Sequence, residues 1–398
     1  MPPSLPVLVL KPREDKRLRV GHLWIYSNEV DTTRSPLKGL APGALCRVQD
    51  SRGQVLGLAT VNPSTLLCGR LLTRRADAVI DEQWFIRRIR RALALRERLY
   101  TQPFYRLVYG ESDGLPGLVV DRYGETCVVQ IGTAGMECLK LEIIEGLKHT
   151  LAPAGILFRN DGAMRELEGL PAYVEAVGDV PEVVEIEEGG VRFAVPLAGG
   201  QKTGWFYDQR ANRDRLGAYV RGKRVLDVFS YIGGWALRAA KSGAAAVSAV
   251  DSSAVALEAA QRNAALNGLA LETLKGQAAE VLKQLRDAGR RFDVVIVDPP
   301  ALVKRKKDLD AGAEHYAQLN RLAMQLLEGD GMLIACSCSH HMSEAQLQRL
   351  LLREARHLGR HLQILERGGQ GPDHPVHPAI PETFYLKAFF CRVLDAGG

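Results

Sequence analysis

Two patterns of apolar and polar positions divide the chain. Up to about residue 200, short apolar runs are cut by glycine and proline turns; beyond it, continuous apolar runs alternate with helical periodicity. In residues 1–75, Leu45, Val48, Val55, Leu56, Leu58, Leu66, Leu67 and Leu71 are separated by Pro42-Gly43, Ser51-Arg52-Gly53 and Asn62-Pro63-Ser64. These are hairpin turns, and they predict a compact β barrel or sandwich with Trp24 and Tyr26 as core aromatics. Residues 81–99 place Trp84, Phe85, Ile89, Leu93 and Leu95 on one side of a helix. Paired strands are expected over 107–131, a helix over 138–151, a strand over 155–159 and a hairpin about Glu188-Gly189-Gly190. This middle segment reads as α+β.

The second pattern begins where Val225, Leu226, Val228 and Phe229 surround Asp227 in a strand that breaks at Ser230-Tyr231-Ile232-Gly233-Gly234 before a helix opens at Trp235. About twenty residues on, the run 246–250 ends on Asp251, followed by Ser252. A carboxylate there can accept both hydroxyls of a ribose. A helix over 253–267 stops at Gly268, a strand over 271–274 leads to Gly276-Gln277-Ala278, and a helix runs to Asp287. The run FDVVIV suits a buried parallel strand and delivers Asp298-Pro299-Pro300 at its carboxyl end, where such sheets bind ligands. A strand over 331–335 ends on Cys336-Ser337-Cys338-Ser339-His340-His341. A helix over 343–358, a Pro/His-rich loop with His374 and His377 as solvated residues, and a strand over 383–393 complete the pattern. The prediction is an α/β doubly wound sheet.

Length and charge refine this picture. At 398 residues the chain exceeds one core and implies two or three domains. Residues 1–100 hold 18 Lys and Arg against 9 Asp and Glu, whereas the remainder holds 34 against 37, so the positive excess belongs to the front quarter. Arg87, Arg88, Arg90, Arg91, Arg96 and Arg98 crowd one helix, and Lys304, Arg305, Lys306 and Lys307 follow the Asp-Pro-Pro turn. Both clusters suit a phosphate backbone; a solvated basic surface is the plainer alternative. Seven cysteines without paired spacing point to reduced thiols, and no run reaches the ~20 apolar residues that cross a bilayer, so a soluble cytoplasmic protein is expected. Cys336, Cys338, His340 and His341 crowd together, but no second cysteine pair stands at zinc spacing, and no metal is expected.

The turn DVFSYIGGW is neither GxGxxG nor a P-loop and offers no phosphate cradle. It resembles the first motif of class I S-adenosylmethionine methyltransferases, whose cofactor carries no phosphate and leaves as S-adenosylhomocysteine. GHLWIYSNEV, with PGALCRVQDSRGQVLGLATVNPST after it, resembles the PUA domain of RNA-modifying enzymes. QKTG-x-F-x-DQR-x-NR at residues 201–213, with GESDGLPGLVVDRYG and Arg159-Asn160-Asp161 upstream, resembles the bacterial large-subunit (23S) ribosomal RNA cytosine-5 methyltransferase family over nearly the whole chain.

That resemblance implies a PUA-like domain over 1–75, an α+β middle domain with the basic helix over 76–187, and a class I, Rossmann-like methyltransferase domain with a seven-stranded sheet over 188–398. It gives Gln201, Lys202, Thr203, Phe206, Asp208, Gln209 and Arg210 a cofactor or active-site role. Asp227, Phe229, Ser230, Tyr231, Gly233, Asp251, Ser252, Gln277, Ala278 and Asp298 complete the cofactor set. Where Gln277 stands the family carries an acidic residue; Gln277 accepts through a neutral carbonyl oxygen.

Carbon 5 of a pyrimidine is a poor nucleophile until a thiolate adds at carbon 6, so the chemistry needs a cysteine beside the cofactor. Cys338, in Ser337-Cys338-Ser339, matches the family's nucleophile; Cys336 reads as a packed thiol. Asp298 would hold or protonate the ring at nitrogen 3, and Pro299, Pro300, residues 304–307 and Arg87, Arg88, Arg91 and Arg98 would meet ribosomal RNA. The same residues leave two other readings, a guanine N-methyltransferase using Asp-Pro-Pro without a thiol, and a non-catalytic RNA-binding factor. No membrane partner is implied, and a homodimer is left open.

Overall fold

The computed structural model describes residues 5–200 and 203–395, so Gln201 and Lys202 lie outside the described residues. The chain forms two compact units. One comprises residues 1–184, 196–205 and 372–383; the other comprises 185–195, 206–371 and 384–398.

In the first unit, β1 (Val7–Val9), β2 (Trp24–Ile25), β3 (Ala44–Gln49), β4 (Val55–Val61) and β5 (Gly69–Thr73) form a sheet of order β1-β3-β4-β5-β2. Backbone bonds from Lys11 to Glu29 (2.8 Å) and from Asp31 to Val9 (2.9 Å) join the segments at its two edges, so the sheet curls into the expected barrel. Leu8, Ile25, Val48, Ala59 and Leu71 fill it. Trp24 is only half-buried, and its indole N–H donates to Glu111 (2.9 Å).

A second sheet, of order β10-β9-β8-β7-β6, is built from β6 (Phe104–Tyr109), β7 (Leu118–Tyr123), β8 (Thr126–Ile131), β9 (Gly155–Asn160) and β10 (Tyr173–Gly178). Helices Glu82–Leu99 and Lys140–Leu151 share a core with this sheet. They cross at Gly146, where a Cβ would stand 2.9 Å from that of Phe85. The helix expected over 138–151 is two, Ala134–Cys138 and Lys140–Leu151, broken at Leu139. His374, expected in solvent, is 2% exposed with its ring nitrogen 2.9 Å from the buried Asp373 carboxylate. Asp373 in turn accepts from the Arg106 backbone N–H (2.9 Å), so the loop is tied inward.

The second unit carries the hairpin residues 185–195, from strands β11 (Val183–Glu188) and β12 (Val191–Pro196), and a seven-stranded sheet of order β15-β14-β13-β16-β17-β19-β18. Its strands are β13 (Arg224–Val228), β14 (Ala246–Asp251), β15 (Glu272–Lys275), β16 (Phe292–Val297), β17 (Leu327–Ser337), β18 (Arg360–Gly368) and β19 (Lys387–Asp395). The first five are parallel and β19 is antiparallel to both β17 and β18. Both faces are sealed: Leu226, Val295, Leu333 and Phe389 pack on one side, and Val225, Ile296, Ile334 and Cys336 on the other. That explains the unbroken apolar runs. Helix Leu309–Leu326, left unassigned by the sequence pattern, covers the first face with Tyr316, Leu322, Ala323 and Leu326. The last strand begins at Lys387, not 383, because Thr383 closes a turn on Ile380 (3.0 Å).

Candidate functional site

Strands β13, β14, β16 and β17 end on one edge of the second unit's sheet, and the predicted polar residues cluster there. After β13 the chain turns through Phe229 (φ +71°) and Tyr231 (φ +50°), two of four described non-glycine residues with positive φ. Such strain persists only where the surroundings enforce it. The Phe229 and Ser230 backbone N–H groups both donate to the Val250 carbonyl (2.9 and 3.0 Å), and the Tyr231 N–H donates to Asp251 (2.9 Å). The other Asp251 oxygen accepts from the Ser253 N–H (2.9 Å), at the start of helix Ala254–Leu266. Asp251 therefore locks two strand ends together while remaining half-buried, with acceptor capacity to spare. Gly233 has φ +89°, and a Cβ there would lie 3.2 Å from Leu237 and 3.3 Å from Ala260, so the turn tolerates no side chain.

Beneath the turn, Asp227 is wholly buried. One of its oxygens accepts from the Ala236 N–H (3.0 Å); among the described residues the other has no partner, and neither does the buried Ser230 hydroxyl. Burial pushes the Asp227 carboxyl up to about 8, with Asp298 and Asp251 adding to the rise and the Ala236 bond opposing it. Gln277 caps helix Ala278–Asp287 without a side-chain bond and is exposed, as is Ser252; Ala278 is buried.

Residues 206–213 pack against the same edge. The Phe206 and Tyr231 rings meet edge to face at 5.7 Å. Asp208 accepts from the Tyr385 hydroxyl (2.5 Å). Gln209 donates to Asp298 (2.8 Å) and accepts from Asn212 (2.7 Å), while the Trp235 indole donates to the other Asp298 oxygen (3.0 Å). Glu188 gathers Arg213 (2.5 Å), Arg210 (3.4 Å) and Arg238 (3.5 Å). Arg210 is thus half-buried in an ion-pair knot. Thr203 belongs to the first unit: its hydroxyl is wholly buried and committed to Asp121 (2.5 Å), which fixes a polar core and does not leave it free for a ligand.

Pro299 is buried and Pro300 exposed, and Cys338 lies half-buried one residue past β17, its sulfur 3.7 Å from the Pro299 carbonyl. Cys336 is 1% exposed within the core, where burial raises its thiol well above the ordinary value. Tyr316 bridges the Ser337 and Ser339 hydroxyls (3.0 Å each), and Ser339 also accepts from the Val303 N–H (3.1 Å). Lys387, 4% exposed, donates to the carbonyls of Ser339 (2.6 Å) and Tyr385 (2.7 Å). Among the described residues no group of three His, Cys, Asp or Glu could hold a metal.

Of the basic residues, Lys304, Arg305, Lys306 and Lys307 are all exposed, with Arg305 paired to Asp308 (2.8 Å). In the first unit Arg87, Arg91 and Arg98 are exposed, but two arginines of that helix are otherwise engaged. Arg88 lies over the Trp84 ring (4.9 Å) and donates to the Leu72 carbonyl (3.3 Å). Arg96 is fully buried and bidentate to Asp113 (2.6 and 2.8 Å). Burial on the helix's inner side, not charge count, decides which of the six face solvent.

Trp235, Tyr385 and Lys387 escaped the sequence reading. Trp235 follows the double glycine and so had to sit on the turn's helix; Lys387 interrupts an apolar strand, which is a signal in itself.

A family described as S-adenosylmethionine-dependent methyltransferase matches residues 166–392, and a PUA-like domain matches residues 8–74. A protein of Vibrio cholerae named ribosomal RNA large subunit methyltransferase I is 38% identical over 98% of this chain and 100% of its own. One of the same name from Photobacterium profundum is 38% identical over 97% and 99%. Among solved structures, a SAM-dependent methyltransferase from Streptococcus mutans superposes with a TM-score of 0.82 at 20% identity, covering 98% of this chain and 100% of that one. A methyltransferase complexed with SAH gives 0.83 at 21% identity, covering 98% and 100%.

Proposed function

The chain belongs to the S-adenosylmethionine-dependent ribosomal RNA large subunit methyltransferase I family, and from that premise we propose that it methylates carbon 5 of a cytosine in 23S ribosomal RNA through a covalent adduct on Cys338. One observation carries the reading. Of two cysteines at the end of β17, Cys336 is sealed in the core while Cys338 stands half-exposed beside Asp298-Pro299-Pro300.

The turn after β13 fits the cofactor. Its buried Asp227 oxygen and Ser230 hydroxyl lack partners among the described residues, and Gly233 lets the turn close tightly on Leu237 and Ala260. Asp251 would accept the ribose hydroxyls, and Phe206 and Tyr231 would flank the ligand. The cofactor, when bound, supplies an electrophilic methyl group.

Cys338, as thiolate, adds to carbon 6 and pushes an electron pair onto carbon 5, which takes the methyl group. A base then removes the carbon-5 proton, the carbon 5–carbon 6 double bond re-forms, and the thiolate leaves. Asp298, each oxygen already accepting one N–H, is set as an acceptor and would hold the cytosine edge that carries the amino group and nitrogen 3. The base must leave its stack to reach this edge. Residues 304–307 and Arg87, Arg91 and Arg98 would contact RNA phosphates.

In Cys338→Ala, methyl transfer and trapping of RNA carrying 5-fluorocytosine at the target should both disappear, with cofactor affinity near that of the unsubstituted protein. Cys336→Ala should keep activity. Methyl transfer surviving in Cys338→Ala would favour a guanine nitrogen as acceptor and overturn the proposal.

A further inference from the structure

We propose that Lys387 is a positioning residue for Cys338: its buried ammonium clamps the backbone on either side of the thiol's pocket and sets a positive charge beside the sulfur, so that Cys338 reacts as the thiolate. The inference rests on the reading of Cys338 as nucleophile.

Ser337 and Lys387 form the terminal pair of the β17–β19 ladder. Beyond it the strands have no further ladder bonds to hold them. Lys387 supplies the missing ties, donating to the carbonyl of Ser339, the residue after Cys338, at 2.6 Å and to that of Tyr385 at 2.7 Å.

Two carbonyls are a poor reason to bury a lysine. The side chain is 4% exposed and, among the described residues, has no ion pair with a carboxylate. An ammonium withdrawn from water without a counter-charge is costly unless an anion forms nearby. Burial pulls the Lys387 amine down to about 8, and Cys338 is the foremost group acting in the opposite sense, followed by Glu344. Glu344 is itself paired with Arg367 (2.9 Å), which leaves the sulfur as the charge that Lys387 can serve.

Other titratable groups about the pair come from every neighbouring element. Asp298 closes β16, Tyr316 comes from helix Leu309–Leu326, Cys336 lies in β17, Glu344 opens the next helix, and His340 stacks on Tyr385 at 5.4 Å. Of these, Asp298 would raise the thiol's proton affinity. A cation on the opposite side is what a reactive thiolate there requires.

The test follows alkylation of each cysteine by iodoacetamide in the full chain between pH 5.5 and 10, with peptides resolved by mass spectrometry and the exposed Cys138 as internal reference. Cys338 should titrate below the free-thiol value of about 8.5. In Lys387→Met its midpoint should rise by about one pH unit, and its rate at pH 7 fall about tenfold, while Cys138 is unchanged. Lys387→Arg should recover part of the rate, and calorimetric titration with S-adenosylmethionine checks that each variant is folded.

A midpoint at or above 8.5 in the unsubstituted protein, which needs no variant, overturns the inference, as does an unmoved profile in folded Lys387→Met. Activity retained in Cys338→Ala would instead sink the nucleophile reading. The two failures are distinguishable.

Discussion

The two ends of the seven-stranded sheet differ in a way that cavity volume does not reveal. At the amino ends of the strands lies a cavity of about 930 Å³, lined by Arg224, Ser248, Glu272, Arg290, Phe292 and Glu328. Its charges answer one another. Arg290 pairs with Glu272 (2.7 Å) and Arg224 with Glu328 (2.5 Å) and Asp293 (3.2 Å), all at least partly exposed. The carboxyl end has the opposite character: a buried carboxyl oxygen and a buried hydroxyl without partners, two strained non-glycine residues and a half-exposed thiol. Unsatisfied buried polar atoms and left-handed backbone cost free energy, and under the proposed function the bound cofactor offsets that cost at the carboxyl end. Unmet demand marks the site better than size does.

If this contrast is correct, the largest response should come from Asp227. Its carboxyl is raised from 3.8 to about 8 in the folded chain. The folded state therefore holds a proton that the unfolded chain releases near pH 4. The resulting stability is complete below about pH 4 and is lost as pH rises from there to about 8, with a slope of at most about 1.4 kcal/mol per pH unit. Asp227→Asn should remove that slope, raising stability at pH 7 and above, while weakening S-adenosylmethionine binding. Denaturant midpoints at pH 5, 6, 7 and 8 measure it; parallel profiles for the two proteins would show that Asp227 is not held protonated.

Asp251 comes next. Loss of a charge-assisted hydrogen bond costs roughly 1.5–3 kcal/mol, so Asp251→Ala should weaken cofactor binding about tenfold or more. Unchanged affinity in a folded variant would remove Asp251 from the site. At the amino end, Glu272→Gln breaks a pair whose side chains are 45% and 38% exposed. It should cost under about 1 kcal/mol and leave cofactor affinity alone. A loss comparable to that of Asp251→Ala would erase the distinction between the two ends.

The sheet was legible because its strands are buried on both faces, and FDVVIV or VLDVF leaves little choice of element. The glycine turn and Asp251 were legible through their spacing. The boundary of Lys387–Asp395 was not, because Thr383 forms a hydrogen-bonded turn that apolar alternation does not record. Thr203 and Arg210 were legible as important but not in kind. A polar residue in a motif looks the same in sequence whether it only faces a ligand or also, as here, donates to Asp121 or pairs with Glu188. Cys336 and Cys338 share a strand face by alternation, and only the end of β17 separates them.

The smallest expected effect applies the same test of met and unmet demand to the arginine helix. Six arginines in residues 87–98 look equivalent in sequence, yet Arg96 is sealed against Asp113 and Arg88 lies on Trp84, whereas Arg87, Arg90, Arg91 and Arg98 are exposed and form no ion pair among the described residues. Only the exposed four can release counterions on meeting a phosphate backbone. Each contact contributes about 0.7 to 0.9 to the slope of log affinity against log salt concentration, so replacing Arg87, Arg91 and Arg98 with glutamine should flatten the slope by about two to three. Arg88→Gln alone should leave it within error and instead cost some stability through the lost ring contact. Filter binding of a 23S ribosomal RNA fragment between 50 and 300 mM salt would measure both. A slope unmoved by the triple substitution means that this helix does not face RNA; a slope moved as much by Arg88→Gln means that its stacking on Trp84 is given up when RNA binds.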